Sequence, residues 1–475
     1  MRRGFAMSAQ RIIAFDNIQL FDGRALHPAG RVLVAGTRIE AVATEGLEIP
    51  EGAIVIDGGG RVLSPAFIAT HEHLLWSFNG SITTLDEMHW SYVGALGVVM
   101  ARRWLDWGFT TVRSAGGADI GLKKAIDEGF VPGPRVFPSM ATLTSTGGHG
   151  DWRHFADPHP HFGGARPPFE TLGHTIMADG VADITRAARE QMRQGATQLK
   201  LMGSGGISSV FDPIDMHGFT EEEYRAAVAV AEQYGTYCMA HTYMPHTTQR
   251  CLKAGVRSIE HAMLCDEDTF KMMADYGAYL STQAYPAVVT CAPENVPPML
   301  TGDRREKAIR VHNGFATMVE LSKKHNVTVT WSTDVCQGQS IVLAAPQEWT
   351  VRSTYWEPLD ILRQATSNAA ELVELCGTRN PYGKLGVIEK GALADLVLFE
   401  GDPSKDITML SDPKESIRLI MKDGRLHKNN LEGSMAVDES DVPEMLPSDI
   451  LERLSGKQLE SLAAYLQNAK LDIGV

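Results

Sequence analysis

The sequence is short of cysteine, of basic residues and of long apolar runs, and each shortage excludes a class of protein. Its 475 residues include six scattered cysteines without a CxxC pair, which argues against a disulfide framework or a zinc ribbon. Lys and Arg number 44 against 58 Asp and Glu, and a formal charge of −14 disfavours nucleic acid and anionic membranes as partners. No apolar run approaches the roughly 18 residues of a membrane span, and no apolar signal segment follows the first basic residues. We therefore expect a cytoplasmic protein that binds neither nucleic acid nor membrane.

The middle of the chain, residues 62–379, alternates apolar β-like runs with amphipathic helical stretches. Eight strands are predicted there, at Leu63–His71, Thr110–Ser114, Arg135–Met140, Thr197–Met202, Thr236–His241, Val256–His261, Ala278–Thr282 and Val327–Ser332. Six helices are predicted between them, at Gly94–Trp107, Ala182–Gln194, Thr220–Tyr234, Thr247–Ala254, Asp266–Tyr276 and Arg304–His325. This alternation predicts an α/β protein with a (β/α)8 TIM barrel, the alternative being an open doubly wound sheet.

The two flanks of this region have a different character. Residues 1–61 and 380–430 read as short strands separated by turn signals such as Asp22-Gly23 and Asp423-Gly424. We expect them to form one small β-sandwich built from the N- and C-terminal segments. Residues 431–475 are acidic and then helical, with Leu459, Leu462 and Leu466 on one helical face, and we interpret them as a docking or oligomer helix.

Ionisable side chains stand at the ends of five predicted strands, where barrel chemistry is found. They are His71 and His73, Lys200, His241, His261 and Asp334. A strand points residues i and i+2 to the same face, so His71 and His73 aim two imidazoles at one point. One histidine at a strand end is usually structural, but imidazoles and a carboxylate from several strands indicate a metal site, with zinc as the default ion.

Lys200 requires its own explanation, because an ammonium group beside a divalent ion would be repelled. Carbamylation by CO2 would turn this lysine into a carboxylate that bridges two metals. The alternative is a lysine that pairs with a nearby acid at the barrel mouth, as buried lysines usually do. Glu72 faces away from the two histidines and is interpreted as a salt-bridge partner beneath the site.

These residues together resemble the binuclear amidohydrolase superfamily of the carboxylated-lysine type, over nearly the whole chain to about Leu431. Three stretches are similar to its imidazolonepropionase-related branch of Xaa-Pro and Xaa-Arg dipeptidases: TSTGGHGDWR, GATQLKLMGSGG and HTYMPHTTQRCLKAGVRSIEHA. The sequence is also similar to ochratoxin-type amidases and to phenylurea and molinate hydrolases. It departs from the family at Pro65-Ala66, where a Pro-Gly pair is usual.

The resemblance implies two divalent metal ions, with manganese or cobalt as alternatives to zinc. It assigns His71, His73 and Asp334 to one ion, His241 and His261 to the other, and carboxylated Lys200 to both. It also implies that a metal-bridging hydroxide attacks the substrate while Asp334 shuttles the proton.

The expected function is hydrolysis of an amide C–N bond in a small molecule, such as a dipeptide or an N-acyl amino acid, by a homo-oligomer. By position, His149 and Tyr243 match family residues that hold the substrate's carboxylate or oxyanion, and Arg153 could pair with a carboxylate. The main alternative is hydrolysis of a urea or carbamate xenobiotic by the same chemistry. A deaminase is disfavoured because no acid follows His241 at the third position, and a non-catalytic scaffold because no ligand is lost.

Overall fold

The computed structural model describes residues 12–117 and 119–431. Its strands are β1 (Ile12–Phe21), β2 (Leu26–Ala35), β3 (Arg38–Ala43), β4 (Ile54–Asp57), β5 (Val62–Pro65), β6 (Phe67–Glu72), β7 (Phe109–Ser114), β8 (Arg135–Pro138), β9 (Thr142–Thr144), β10 (Thr175–Met177), β11 (Leu199–Met202), β12 (Cys238–Thr242), β13 (Ser258–His261), β14 (Tyr279–Thr282), β15 (Val329–Trp331), β16 (Leu396–Phe399), β17 (Ile417–Lys422) and β18 (Arg425–Asn429). Its helices are α1 (Trp90–Asp106), α2 (Ile120–Asp127), α3 (Pro168–Thr171), α4 (Gly180–Gln194), α5 (Glu221–Gln233), α6 (Pro245–Ala254), α7 (Glu267–Asp275), α8 (Asp303–Lys324), α9 (Gln339–Leu343), α10 (Glu348–Ser353), α11 (Pro358–Gln364), α12 (Ser367–Glu374) and α13 (Pro413–Ser416).

Strands from both chain ends form one mixed sheet of eight strands, in the order β18-β17-β16-β5-β1-β2-β3, with β4 also paired to β1. Strand pairing therefore joins the two flanks in one sheet, and the β-sandwich expected from them stays a prediction. β1 is long enough to pair with β2 on one side and with β4 and then β5 on the other. Because β5 belongs to this sheet, the first predicted barrel strand is shorter than expected and begins at Phe67.

The middle of the chain contains all eight predicted strands, and every pairing among them is parallel. With two further strands that were not predicted, β9 and β10, they lie in two sheets, β6-β7-β8 and β10-β9-β11-β12-β13-β14-β15. The sequence predicts one closed ring. Backbone hydrogen bonds nevertheless cross both gaps. The Thr197 amide donates to the Pro138 carbonyl over 2.8 Å, and the Asp334 amide donates to the His71 carbonyl over 3.0 Å.

All six predicted helices are present, and two of them have clear end signals. Thr220 caps α5 in a reciprocal capping box with Glu223, and α4 ends at Gly195, whose φ of 109° suits glycine. No helix among the described residues is long and apolar enough to cross a membrane. The predicted tail helix lies outside the described residues.

Large aromatic side chains of the parallel strands pack against one another in the core. Phe67, Phe109 and Trp331 pack ring against ring, and Phe109 and Trp331 have centroids 4.5 Å apart. Burying each such side chain contributes roughly 1.5–3 kcal/mol. The predicted site residues lie at or just beyond the carboxyl ends of these parallel strands.

The chain-end sheet is tied to this core by a buried ion pair. Arg135, the first residue of β8, binds Asp395 just before β16 and Asp423 in the turn between β17 and β18. Arg135 and Asp395 are both almost fully buried. This contact lies at the amino ends of the strands, away from the polar residues.

Candidate metal centre

The six ionisable residues predicted from the strand ends converge on one point. Asp334 Oδ1 lies 3.1 Å from His73 Nε2 and 3.5 Å from His71 Nε2. His261 reaches the same carboxylate from the other side, with Nδ1 4.0 Å from Oδ2. His71, His261 and Asp334 thus offer three ligand atoms within 4.8 Å of one another.

Lys200 and His241 complete the cluster. Lys200 Nζ lies 3.3 Å from His71 Nε2, and the rings of His241 and His261 have centroids 4.5 Å apart. The four imidazoles and Lys200 are buried, while about 29% of the Asp334 side chain is exposed. The cluster therefore opens to solvent on the Asp334 side.

Two of these residues lie in the left-handed region of backbone conformation. His261 has a φ of 75° and Asp334 a φ of 54°. This conformation destabilises the fold by on the order of 1–3 kcal/mol for a residue other than glycine, and such conformations concentrate at functional sites. The turn at His261 breaks the alternation of β13, so that both Glu260 and His261 approach the ring of His71.

One nitrogen of each imidazole is already held by a neighbouring group. His71 Nδ1 lies 2.6 Å from Glu260, His73 Nδ1 3.2 Å from the Gly116 carbonyl, and His261 Nδ1 2.8 Å from Gln283. His241 uses Nε2 instead, 3.2 Å from the Gly205 carbonyl. In His71 and His73 the other nitrogen, Nε2, faces Asp334 at the centre of the cluster. A neighbour bound to one nitrogen is how proteins orient histidine ligands. The donor set therefore fits divalent metal ions.

The electrostatics of the cluster keep these donors in their ligating forms. Burial lowers the pKa of His261 to about 4, so its imidazole is neutral at pH 7. Burial alone would raise the pKa of Asp334, but His71, His73 and His261 outweigh it and hold that pKa well below its ordinary value. Asp334 is therefore ionised.

Burial also lowers the pKa of Lys200, to about 8. Within the described residues Lys200 forms no ion pair with an aspartate or glutamate at 4 Å or less. The acid partner of the alternative interpretation is thus not found there. A buried amine that is easily deprotonated is the form that reacts with CO2.

A buried ion pair beneath the cluster was not predicted from the sequence. Arg113 on β7 donates to both carboxylate oxygens of Glu260, over 2.9 and 3.1 Å, and both side chains are fully buried. Ser258 donates to the same carboxylate over 2.5 Å. The sequence did contain a signal for this pair, since Arg113 and Glu260 are charged residues within two predicted strands, and such residues are rarely buried unless they are paired.

Glu72 does not form the salt bridge expected of it. Its carboxyl group accepts hydrogen bonds from the amide of Thr333 over 2.8 Å and from its hydroxyl over 2.5 Å. Burial raises the pKa of Glu72 well above its ordinary value, against the effect of these hydrogen bonds. Because Thr333 precedes Asp334, Glu72 anchors the turn that carries the carboxylate.

The cluster lies in a cavity of about 190 Å³ that His149 and Tyr243 also line. The His149 ring stacks on His241 with centroids 4.4 Å apart, and the Tyr243 ring stacks on His261 at 5.0 Å. Arg153 is not among the cavity-lining residues, and it binds Asp151 with two hydrogen bonds of 2.8 and 2.6 Å. The structure therefore brings two of the three predicted substrate contacts to the candidate ligands.

Most of the remaining cavity wall is apolar. Trp76 stacks on the ring of His73 with centroids 4.0 Å apart and an angle of 10° between the planes. It also donates a hydrogen bond of 3.1 Å to His174. Further apolar wall residues include Trp152, Ile207 and Leu300. A cavity of this kind suits a small organic substrate with few charges.

Comparison with known proteins gives similar folds and related sequences. The sequence profile of the Amidohydrolase family matches residues 62–427. Ochratoxinase of Aspergillus niger is 30% identical over 328 residues, covering 68% of this chain and 66% of the relative, or just under two thirds of its length.

Solved structures extend the likeness. A prolidase complexed with N-methylphosphonate-L-proline superposes with a TM-score of 0.80 at 32% identity, covering 88% of this chain and 100% of that chain. A. niger ochratoxinase superposes with a TM-score of 0.78 at 25% identity, covering 89% of this chain and 96% of that chain. Molinate hydrolase shares the fold alone. It superposes with a TM-score of 0.70 at 18% identity, covering 88% of this chain and 94% of that chain.

Proposed function

This chain belongs to the amidohydrolase family, as its strand-end residues led us to expect, and we propose that it hydrolyses an amide C–N bond in a small molecule at the His71–Asp334 cluster. The observation that carries this proposal is the cluster of four imidazoles, each with one nitrogen held by a neighbouring group. His71, His73 and Asp334 would hold one divalent ion and His241 and His261 a second, with carboxylated Lys200 between them. When bound, such ions lower the pKa of water toward ~7 and polarise a carbonyl group.

Asp334 is the residue that moves the proton. Its carboxylate is ionised, partly exposed to the cavity and within reach of three of the imidazoles. It accepts a proton from the attacking water and returns that proton to the leaving nitrogen, as general acid–base catalysis of amide hydrolysis requires. The hydrogen bonds from Thr333 to Glu72 fix the turn that aims it.

Carboxylation of Lys200 follows from its surroundings. The neutral amine attacks CO2 through its lone pair, forms an N–C bond and releases one proton to solvent, leaving a carbamate. A pKa of about 8 leaves an appreciable neutral fraction near pH 7.5. The carbamate supplies two oxygens in a place where, among the described residues, no aspartate or glutamate pairs with the lysine at 4 Å or less.

His149 and Tyr243 contact the substrate, because they line the cavity and stack on two of the ligands. We assign them to the carbonyl oxygen or to a carboxylate of the substrate, and Arg153 is left out because Asp151 occupies it. Relatives named prolidase and ochratoxinase make a dipeptide or an N-acyl amino acid the first substrate class to test.

The two parallel sheets would together form the predicted (β/α)8 barrel. The hydrogen bonds from Thr197 to Pro138 and from Asp334 to His71 support this, since they join the sheets at both gaps. Zinc as the metal, a homo-oligomeric assembly and a cytoplasmic location stay predictions.

The decisive experiment combines metal loading with a substrate panel. The full-length protein is purified without chelator, its bound metals are measured, and it is then incubated with zinc, manganese or cobalt in bicarbonate buffer. Dipeptides, N-acyl amino acids, phenylureas and carbamates are offered in parallel. We expect about two ions per chain and turnover of an amide. Absence of bound metal after loading, or full activity in the presence of a chelator, would refute the proposal.

A further inference from the structure

A buried carboxylate outside the ligand cluster touches the one cavity histidine that is not a ligand. Asp212 is about 1% exposed and its Oδ2 lies 3.1 Å from His149 Nδ1. The hydroxyl of Ser209 stands between them, 2.5 Å from His149 Nδ1 and 2.6 Å from Asp212 Oδ2. Neither Asp212 nor Ser209 lines the cavity, so they reach the substrate only through His149.

The direction of these hydrogen bonds follows from the groups themselves. An ionised carboxylate only accepts, so the Ser209 hydroxyl must donate its proton to Asp212. The serine oxygen is then an acceptor, as is the carboxylate, and His149 Nδ1 faces both. Nδ1 must therefore carry a proton, which leaves Nε2 as the nitrogen available to the cavity.

We propose that Asp212, together with Ser209, is the positioning pair that fixes the tautomer and orientation of the His149 ring for substrate contact. The carboxylate holds Nδ1–H in one direction, so that the ring cannot flip and Nε2 stays beside the metal ligands. The ring also stacks on His241 with an angle of 18° between the planes, and a ring rotated out of this plane would lose that contact.

The position of the carboxylate is itself fixed by the loop that follows β11. The Gly206 amide donates to Asp212 Oδ2 over 2.7 Å. From α8 the buried Lys307 donates to the Asp212 carbonyl over 2.8 Å and to the Ser209 carbonyl over 3.3 Å. A loop bound at these points cannot carry the carboxylate away from His149.

The close approach of the loop to the ring requires a glycine at position 206. A Cβ at that position would lie 2.0 Å from His149 Cε1 and 2.3 Å from Nδ1. No side chain fits there unless the imidazole moves. Gly206 and Asp212 therefore restrict the same ring, the first by contact and the second by hydrogen bonding.

This inference rests on the proposed function, in which His149 contacts the substrate, and a double-mutant cycle tests it. Asp212→Asn should lower kcat/KM about 10- to 100-fold, with little change in bound metal. The same substitution in a His149→Ala background should cost nothing further, because Asp212 acts through that ring. An unimpaired Asp212→Asn enzyme, or an undiminished loss in the His149→Ala background, would overturn the proposal.

A second measurement does not depend on turnover. Nitrogen-15 spectra of histidine-labelled, metal-free protein, with His149 identified from the His149→Ala variant, should show a protonated Nδ1. Asp212→Asn, Ser209→Ala and Gly206→Ala should each shift that signal. Asp151→Asn is the matched control, because Asp151 is also buried, lies two residues after His149 and binds Arg153. This substitution should leave the His149 signal unchanged. A His149 protonated at Nε2 in the wild type would overturn the inference.

The two measurements separate the inference from the proposed function. If no amide is hydrolysed but His149 shows the expected tautomer that Asp212→Asn disturbs, the proposed function fails and the positioning pair stands. If amides are hydrolysed but Asp212→Asn does not change the tautomer of His149, the proposed function stands and the positioning role of Asp212 is refuted. If the Asp212→Asn protein does not fold, Ser209→Ala replaces it in the double-mutant cycle with His149→Ala, because Ser209→Ala removes only the bridging hydroxyl.

Discussion

Substituting Glu260 with glutamine should lower both the stability of this protein and its affinity for metal. Glu260 accepts two hydrogen bonds from the buried Arg113 and one from Ser258, and it also binds His71 Nδ1 over 2.6 Å. Glutamine has nearly the same shape but no charge, so Arg113 stays buried without its counter-ion. Breaking a buried pair on one side costs about 3–5 kcal/mol. Loss of a carboxylate behind a histidine ligand typically weakens metal binding about 10- to 100-fold.

The assay measures both quantities on the same samples. Chemical denaturation of the metal-free protein gives the change in stability, and competition with a chelator of known affinity gives the change in metal binding. We expect Glu260→Gln to be impaired in both.

Asp395→Asn supplies the matched control. It removes a carboxylate from an equally buried arginine, Arg135, at the opposite ends of the strands and far from any ligand. We expect this variant to lose stability while its metal affinity stays within about twofold of the wild type. Metal affinity that is equal in Glu260→Gln and the wild type would refute the argument that Glu260 orients His71.

Three further predictions concern the cluster itself. Asp334→Asn should retain metal but lose about 100- to 10,000-fold in kcat, since it removes the proton carrier, and near-normal turnover would exclude that role. Lys200→Ala should lose most of its bound metal by elemental analysis and recover part of it when short carboxylic acids are added, whereas full occupancy without them would exclude a bridge. Saturating zinc at about 100 times its dissociation constant should raise the free energy of unfolding by about 2.7 kcal/mol over the chelated protein. His71→Ala/His73→Ala should abolish that stabilisation, and an unchanged zinc effect in the double variant would place the metal elsewhere.

The sequence contained enough to predict the strands and the side chains that meet at their ends, because both depend on local pattern. Apolar runs are visible as such, and His71 and His73 at spacing i, i+2 share a face in any strand. The parallel order of β6 to β15 then brings their carboxyl ends together whatever the loops do. For the same reason Lys200, in the middle of a run of apolar residues, could be placed at the cluster.

The groups behind the ligands could not be predicted in the same way. Glu260 and His261 are neighbours, and strict alternation would put them on opposite faces, but the left-handed turn at His261 brings both to His71. The pairing of Arg113 with Glu260 joins positions 147 residues apart. The pairing of Arg153 with Asp151 is local, yet the sequence does not say whether an arginine turns inward or toward its own loop. Such contacts depend on three-dimensional packing.

The charge balance of the centre gives a reason for the carboxylation of Lys200. Glu260 is neutralised by Arg113, and His73, His241 and His261 are held by neutral acceptors, so none of these contributes a net charge. With an ammonium group at Lys200, the lysine and Asp334 would cancel, and two divalent ions would enter a buried site that offers them no negative charge. Conversion to a carbamate changes the charge of that one side chain from +1 to −1 and leaves the site with −2. Because uncompensated charge is costly away from water, CO2 and metal must each strengthen the binding of the other by the same factor. Bicarbonate should therefore tighten metal binding in the wild type and have no effect on metal binding in Lys200→Ala.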